Sequence, residues 1–180
     1  MVKSAYSFET KKQKIEQHII VLWVDNESGV LARVVGLFSG RGYNIESLSV
    51  SEVDSHKFLS RITVVTSGTK IIVDQIKAQL AKLIPVHNLV DITELKSFIG
   101  KELILIKLDV KNKKTFDLKK KLERLSAKIL EENDLEIIVQ FTGSPNEVKK
   151  MESILQPYKI IEQTRSGLVS MATGTDYIKK

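Results

Sequence analysis

Residues 18 to 25, His-Ile-Ile-Val-Leu-Trp-Val-Asp, constrain this chain more than any other segment. The run is short, apolar and rich in branched side chains, so it reads as a buried β-strand. Asn26-Glu27-Ser28-Gly29 then breaks it as a turn. Beyond the turn, Val30, Leu31, Val34, Val35, Leu37 and Phe38 recur at helical spacing. Ser28 or Asn26 is placed to cap that helix by accepting from its free amides. Gly40 and Gly42 end it, because glycine takes the left-handed conformation cheaply.

Residues 44–53 and 58–66 give two further strands with Asp54-Ser55-His56 turning between them, and Ile62 and Val64 alternate with Arg61 and Thr63. Ile72, Ile76, Leu80 and Leu83 mark the face of a second helix, which Pro85 stops. Residues 86–93 supply a fourth strand. The order β-α-β-β-α-β is that of a ferredoxin-like unit.

The second half repeats the order without obvious residue identity. A strand from Glu102 to Val110 precedes a lysine-rich helix from Thr115 to Leu125. Residues 127–131 and 135–142 pair as strands through an Asn133-Asp134 turn, although local propensity alone would also let the helix run on to Glu132. Ser144-Pro145 opens a helix carrying Val148, Met151, Ile154 and Leu155. Pro157 closes it, and Tyr158 to Gln163 is a last strand. The expected architecture is therefore α+β, with two tandem ferredoxin-like units. Residues 1–17 form an N-terminal extension, 18–94 the first unit, 95–101 a connection and 102–180 the second unit.

Composition narrows the function. Two units drawn from 180 residues, 42% of them hydrophobic, can each bury a core but are marginal alone, so association with another subunit would add burial. The absence of cysteine excludes disulfides, thiolate metal sites and cysteine nucleophiles, and fits a cytoplasmic protein. No apolar run approaches the ~20 residues needed to cross a bilayer. The net charge of +6 owes much to Lys111, Lys113, Lys114, Lys119, Lys120 and Lys121, but no aromatics interleave them as base-stacking platforms. They read as a solvated surface rather than a nucleic-acid interface.

No catalytic constellation assembles. His18, His56 and His87 are not spaced as metal ligands, the carboxylates are scattered, and no P-loop, nucleophile elbow or zinc-protease motif is present. Gly40-Arg41-Gly42 follows a helix and precedes a strand, the reverse of a dinucleotide fingerprint. The informative segment is Asp25 to Gly29 with its helix. A helix start presents unpaired amides and a positive dipole end, which together suit a carboxylate. Asn26 adds a group that both donates and accepts. An ordinary capped helix would carry the same residues. Tyr43-Asn44-Ile45 sets a polar residue between two large apolar ones, as at a strand edge, an interface or simply a turn.

Asp25-Asn26-Glu27-Ser28-Gly29-Val30-Leu31 and the run from Gly36 through Tyr43-Asn44-Ile45-Glu46-Ser47-Leu48 resemble the small regulatory subunit of acetolactate synthase (acetohydroxyacid synthase). Ser60-Arg61-Ile62-Thr63, the segment Gln75 to Leu83 and Arg165-Ser166-Gly167 continue the resemblance. It implies an N-terminal ACT domain, a C-terminal domain of related fold, and a homodimer whose ACT sheets join side by side. It implies L-valine bound between subunits, with Asn26, Gly29, Val30 and Leu31 from one and Asn44 and Ile45 from the other. The backbone at 29–31 would receive the ligand carboxylate, and Asn26 and Asn44 would hold its polar end. The implied partner is a catalytic large subunit carrying thiamine diphosphate, Mg²⁺ and FAD, none of which is expected in this chain. The small subunit would raise the partner's activity and confer feedback inhibition in branched-chain amino acid synthesis. A stand-alone ACT sensor acting on another enzyme is the competing reading, and an RNA-binding module is a weaker one. Its exposed strand aromatics would have to be Trp23 and Phe58, which no basic signature surrounds.

Overall fold

The computed structural model describes residues 14–111 and 115–174. Residues 1–13 of the expected extension, Lys113 and Lys114 of the lysine cluster, and residues 175–180 at the end of the second unit lie outside them.

In β1 (Glu16–Asp25) every side chain from His18 to Val24 is buried. A strand that is apolar on both faces belongs inside a sheet covered on both sides. It is followed by α1 (Val30–Ser39), β2 (Ser47–Asp54), β3 (Leu59–Gly68), α2 (Lys70–Leu80) and β4 (Val86–Asp91). These strands form one antiparallel sheet in the order β2-β3-β1-β4, with β1 between β3 and β4. Strand alternation sends Ile20, Leu22 and Val24 to the helix side, where they pack with Val34, Phe38, Ile76 and Leu80. Ile19 and Val21 point the other way, to Val65, Ile92 and Leu168. The second face of this sheet is thus covered partly by residues from the far end of the chain.

A 3₁₀ turn at Ile92–Glu94 leads to the second unit: β5 (Phe98–Asp109), α3 (Phe116–Arg124), β6 (Lys128–Glu132), β7 (Glu136–Gly143), α4 (Pro145–Leu155), β8 (Lys159–Arg165) and β9 (Val169–Ala172). Its sheet runs β6-β7-β5-β8. Both units are ferredoxin-like. The hairpin of β6 and β7 forms through Asn133, whose side chain accepts from the amides of Leu135 and Glu136 at 2.9 and 3.0 Å. The lysine-rich helix ends at Arg124, where Leu125 caps it and Ser126 turns left-handed at φ +58. At α4 a capping box closes, since Ser144 Oγ accepts from the Glu147 amide while Glu147 accepts from the Ser144 amide.

Several local expectations are corrected. The strand β5 starts at Phe98, inside the connection expected over 95–101, because Phe98–Lys101 pairs with β9. Only 95–97 remain between the 3₁₀ turn and the strand. The strand β9 is absent from the expected element order. Neither Ser28 nor Asn26 caps α1; Gly29 occupies the cap position at φ +84. Gly40 ends α1 in a right-handed conformation, and only Gly42 turns left-handed. Val73, Ile76 and Leu80 form the buried face of α2, Ile72 is partly exposed, and Leu83 lies beyond the helix end. Both phases satisfy helical spacing, and the sheet beneath selects between them.

The triplet Arg165-Ser166-Gly167 fastens the end of β8 to β5 and turns the chain towards the first unit. Arg165 Nε donates to Glu102 Oε2 at 3.0 Å, and Ser166 Oγ accepts from the Leu103 amide at 3.0 Å. Gly167 then turns the chain at φ +78 into β9.

Candidate functional site

Two groups of residues stand at opposite ends of the first sheet. One lies where β1 ends. The Asn26 amide donates to the Phe58 carbonyl at 2.6 Å, and Asn26 Oδ1 accepts from Ser60 Oγ at 3.0 Å. The side chain of Asn26 is therefore held by β3 and does not cap α1. Gly29 enters the helix in the left-handed region, with nothing within 4 Å of where a Cβ would stand. Glycine is needed there for its backbone conformation, not for space within the chain.

Because no side chain caps α1, its first turn keeps free donors. The Val30 amide reaches Glu27 O only at 3.4 Å. Among the described residues the amides of Leu31 and Ala32 have no acceptor. Val30 itself is buried in the core, and Leu31 is exposed. Among the described residues the Gly29 amide also lacks an acceptor, so free donors stand within the 29–31 segment expected to receive a carboxylate and extend to Ala32.

The other group precedes β2. Thr66 Oγ1 donates to the Asn44 carbonyl at 2.7 Å, fixing the backbone while the Asn44 side chain stays exposed. Ile45 packs on the core beside Tyr43, whose ring meets Phe38 edge-on. In the β1–β3 register Thr66 lies opposite His18, whereas Asn26 directly follows Asp25. Seven residues of strand separate these ends, about 23 Å at ~3.3 Å per residue. One chain therefore does not bring Asn44 and Ile45 to Asn26, Gly29, Val30 and Leu31.

Sequence reasoning gave no role to Ser60 or Thr66, the hydroxyls that orient the two asparagines. Ser60 does lie in the quoted Ser60-Arg61-Ile62-Thr63 run, but only the strand register shows its reach to Asn26. Elsewhere, His18 Nδ1 stands 2.7 Å from Asp91 Oδ2 in a buried pair, and His87 Nε2 stands 2.5 Å from Asp25 Oδ1 at the surface. Among the described residues no three histidine or acidic side chains converge as a metal site.

Two family models match. Residues 20–88 match the AHAS small subunit-like ACT domain, and residues 101–174 match the model described as the small subunit of acetolactate synthase. The acetolactate synthase small subunit of Buchnera aphidicola is 37% identical over 162 residues, 88% of this chain and 99% of that protein. This chain belongs to the acetolactate synthase small subunit family. The small subunit of Bacillus subtilis is 38% identical over 160 residues, covering 88% of this chain and 92% of its own. The crystal structure of the acetolactate synthase small subunit from Thermotoga maritima superposes with a TM-score of 0.79 at 29% identity, over 87% of this chain and 96% of that one. All six candidate residues of the ACT domain fall inside the first matched segment. The Arg165-Ser166-Gly167 triplet falls inside the second. Among the described residues of this small-subunit family member, no helix is long and apolar enough to cross a membrane.

Proposed function

We propose that this chain is the regulatory subunit of an acetolactate synthase. It binds a catalytic large subunit, raises its activity and makes it sensitive to L-valine. On this reading, residues 18–94 sense the effector and residues 102–180 complete the subunit. The chemistry, with thiamine diphosphate, Mg²⁺ and FAD, belongs to the partner.

The observation that carries the reading is the separation of the two asparagine-bearing ends in one chain. The strand β2 lies at the edge of its sheet, with Val50 and Val53 exposed. An unpaired edge is a template for a second copy. Two-fold antiparallel pairing of β2 with its symmetry mate reverses the second sheet. Asn44 of one copy then approaches the end of the sheet at which its mate carries Asn26 and the free amides of α1. Valine would give its carboxylate to the Leu31 and Ala32 amides and its ammonium to asparagine oxygens. A ligand shared across a dimer interface shifts any equilibrium that alters that interface, to the extent that it prefers one state. Coupling of ~1–3 kcal/mol would change partner activity roughly 5- to 150-fold.

The test is calorimetric titration of L-valine into the purified protein and into Asn44→Ala, with the activity of the large subunit measured in parallel. Saturable binding that the variant loses, together with activation of the large subunit by both proteins, is the expected result. Valine inhibition of a holoenzyme containing Asn44→Ala at the wild-type concentration would remove Asn44 from the site. Failure to activate any acetolactate synthase large subunit would favour a stand-alone amino acid sensor.

A further inference from the structure

The face of the first sheet opposite α1 and α2 carries a cavity of about 300 Å³. Its floor is the cross-strand pairs Ser49-Thr63 and Ser51-Arg61 of β2 and β3, with Trp23 opposite Arg61 on β1. Its wall is the ribbon in which β9 pairs with the start of β5. The cavity is therefore built from both units. It lies on the other side of the sheet from α1.

The charged and hydroxyl groups around it can all donate. Arg61 lies over the Trp23 ring, 5.5 Å from its centroid, and gives one N–H to the Ser170 carbonyl at 2.5 Å. It has no carboxylate partner among the described residues, and burial draws its guanidinium below the ordinary value. Ser170 is 7% exposed and lines the cavity, and its hydroxyl is buried without a hydrogen-bond partner. The Trp23 indole N–H, beneath Arg61, is likewise buried and unpartnered. Buried donors left unbonded are costly, and so is a half-buried cation without a counter-charge. Lys101 stands at the rim, 3.0 Å from Glu147. Among the described residues no acidic side chain lines the cavity, and Val53, Ile99, Val169 and Met171 give it apolar walls.

We propose that this cavity binds a small aliphatic carboxylate lacking an ammonium group. The carboxylate sits against the Arg61 guanidinium and the Ser170 hydroxyl, and the hydrocarbon chain rests on Ile99, Val169 and Met171. An α-amino acid fits less well, because no carboxylate side chain in the lining would answer its ammonium. This separates the cavity from the proposed effector site. A bound ligand touches both the first sheet and β9, so it stabilises the junction of the two units.

Trp23 is the only tryptophan in the chain, so its fluorescence reports on the site. The experiment titrates 3-methylbutanoate into the full-length protein, with 3-methylbutylamine and L-valine in parallel, and repeats the series on Ser170→Ala and Arg61→Gln. The expected result is a saturable fluorescence change with 3-methylbutanoate and none with the amine. Each variant should weaken that binding by roughly 10-fold or more, the usual loss for a hydrogen bond to a charged group. Ser170→Ala removes a hydroxyl that bonds to nothing among the described residues, so its thermal midpoint should equal or exceed that of the wild type. It keeps the test decisive if Arg61→Gln folds poorly. The proposal is overturned by no saturable response, by equal binding of the amine, or by wild-type affinity in Ser170→Ala. It is also overturned if L-valine binds as tightly as 3-methylbutanoate and Ser170→Ala weakens both.

Discussion

The hydroxyl of Ser47 accepts a hydrogen bond from the backbone amide of Leu168 at 3.0 Å. This bond ties the first residue of the edge strand β2 to the turn that precedes β9. The turn rests on Gly167 at φ +78, where an added Cβ would stand 2.9 Å from the Leu48 carbonyl oxygen and 3.0 Å from Ser47 Oγ. Backbone cannot move aside as a flexible side chain does, and an L-residue is strained at that φ. Gly167→Ala is therefore expected to destabilise the protein by about 2 kcal/mol. Urea denaturation measures this, and a wild-type midpoint would mean that the two units do not depend on the clasp.

Ser60 holds Asn26 from the neighbouring strand, so it positions the proposed effector site without touching the ligand. Ser60→Ala should weaken valine binding by about 5-fold and cost less than ~1 kcal/mol of stability, since the exposed Asn26 can turn to water instead. Calorimetry of the variant decides the matter. Unchanged affinity would leave Ser60 with a structural role only.

Asp91 is the acceptor at the centre of a buried group. Its carboxylate meets His18 Nδ1 at 2.7 Å, the Thr93 amide at 3.1 Å and the Lys77 ammonium at 3.9 Å. Burial pulls Lys77 down, but Glu94 and Asp74 outweigh it and hold the ammonium above its ordinary value. Asp91→Ala takes the acceptor from His18 and the Thr93 amide while Lys77 keeps Glu94 and Asp74, and the expected cost is about 3 kcal/mol. A thermal denaturation midpoint close to that of the wild type would contradict this account.

Glu147 closes the cap of α4. The Ser144 amide, with Lys101 beside it, lowers its carboxyl from 4.5 to about 2. A depressed carboxylate contributes stability that is fully present above its unfolded value and is lost as pH falls through its folded value. Glu147→Gln keeps the capping geometry and removes the charge. The variant should be less stable than the wild type above about pH 4.5, and the gap should close as the pH approaches about 2. A gap independent of pH would show that the charge of Glu147 contributes nothing.

Periodicity and punctuation along the chain determined the element order of both ferredoxin-like units. The branched apolar run at 18–25 and the helical spacing after Gly29 each act within a few residues, so local physics is sufficient for them. The family motif also identified the two asparagine-bearing segments. Pairing between distant segments was decided only in three dimensions. Val169–Ala172 becomes a strand because Phe98–Lys101 offers it an edge, and nothing local marks either partner. Val73 rather than Ile72 is buried because the sheet under α2 selects one of two equally periodic faces. Asn26 leaves the helix cap because the strand register places Ser60 within its reach. Such contacts depend on chain closure over long separations, which a local pattern does not encode.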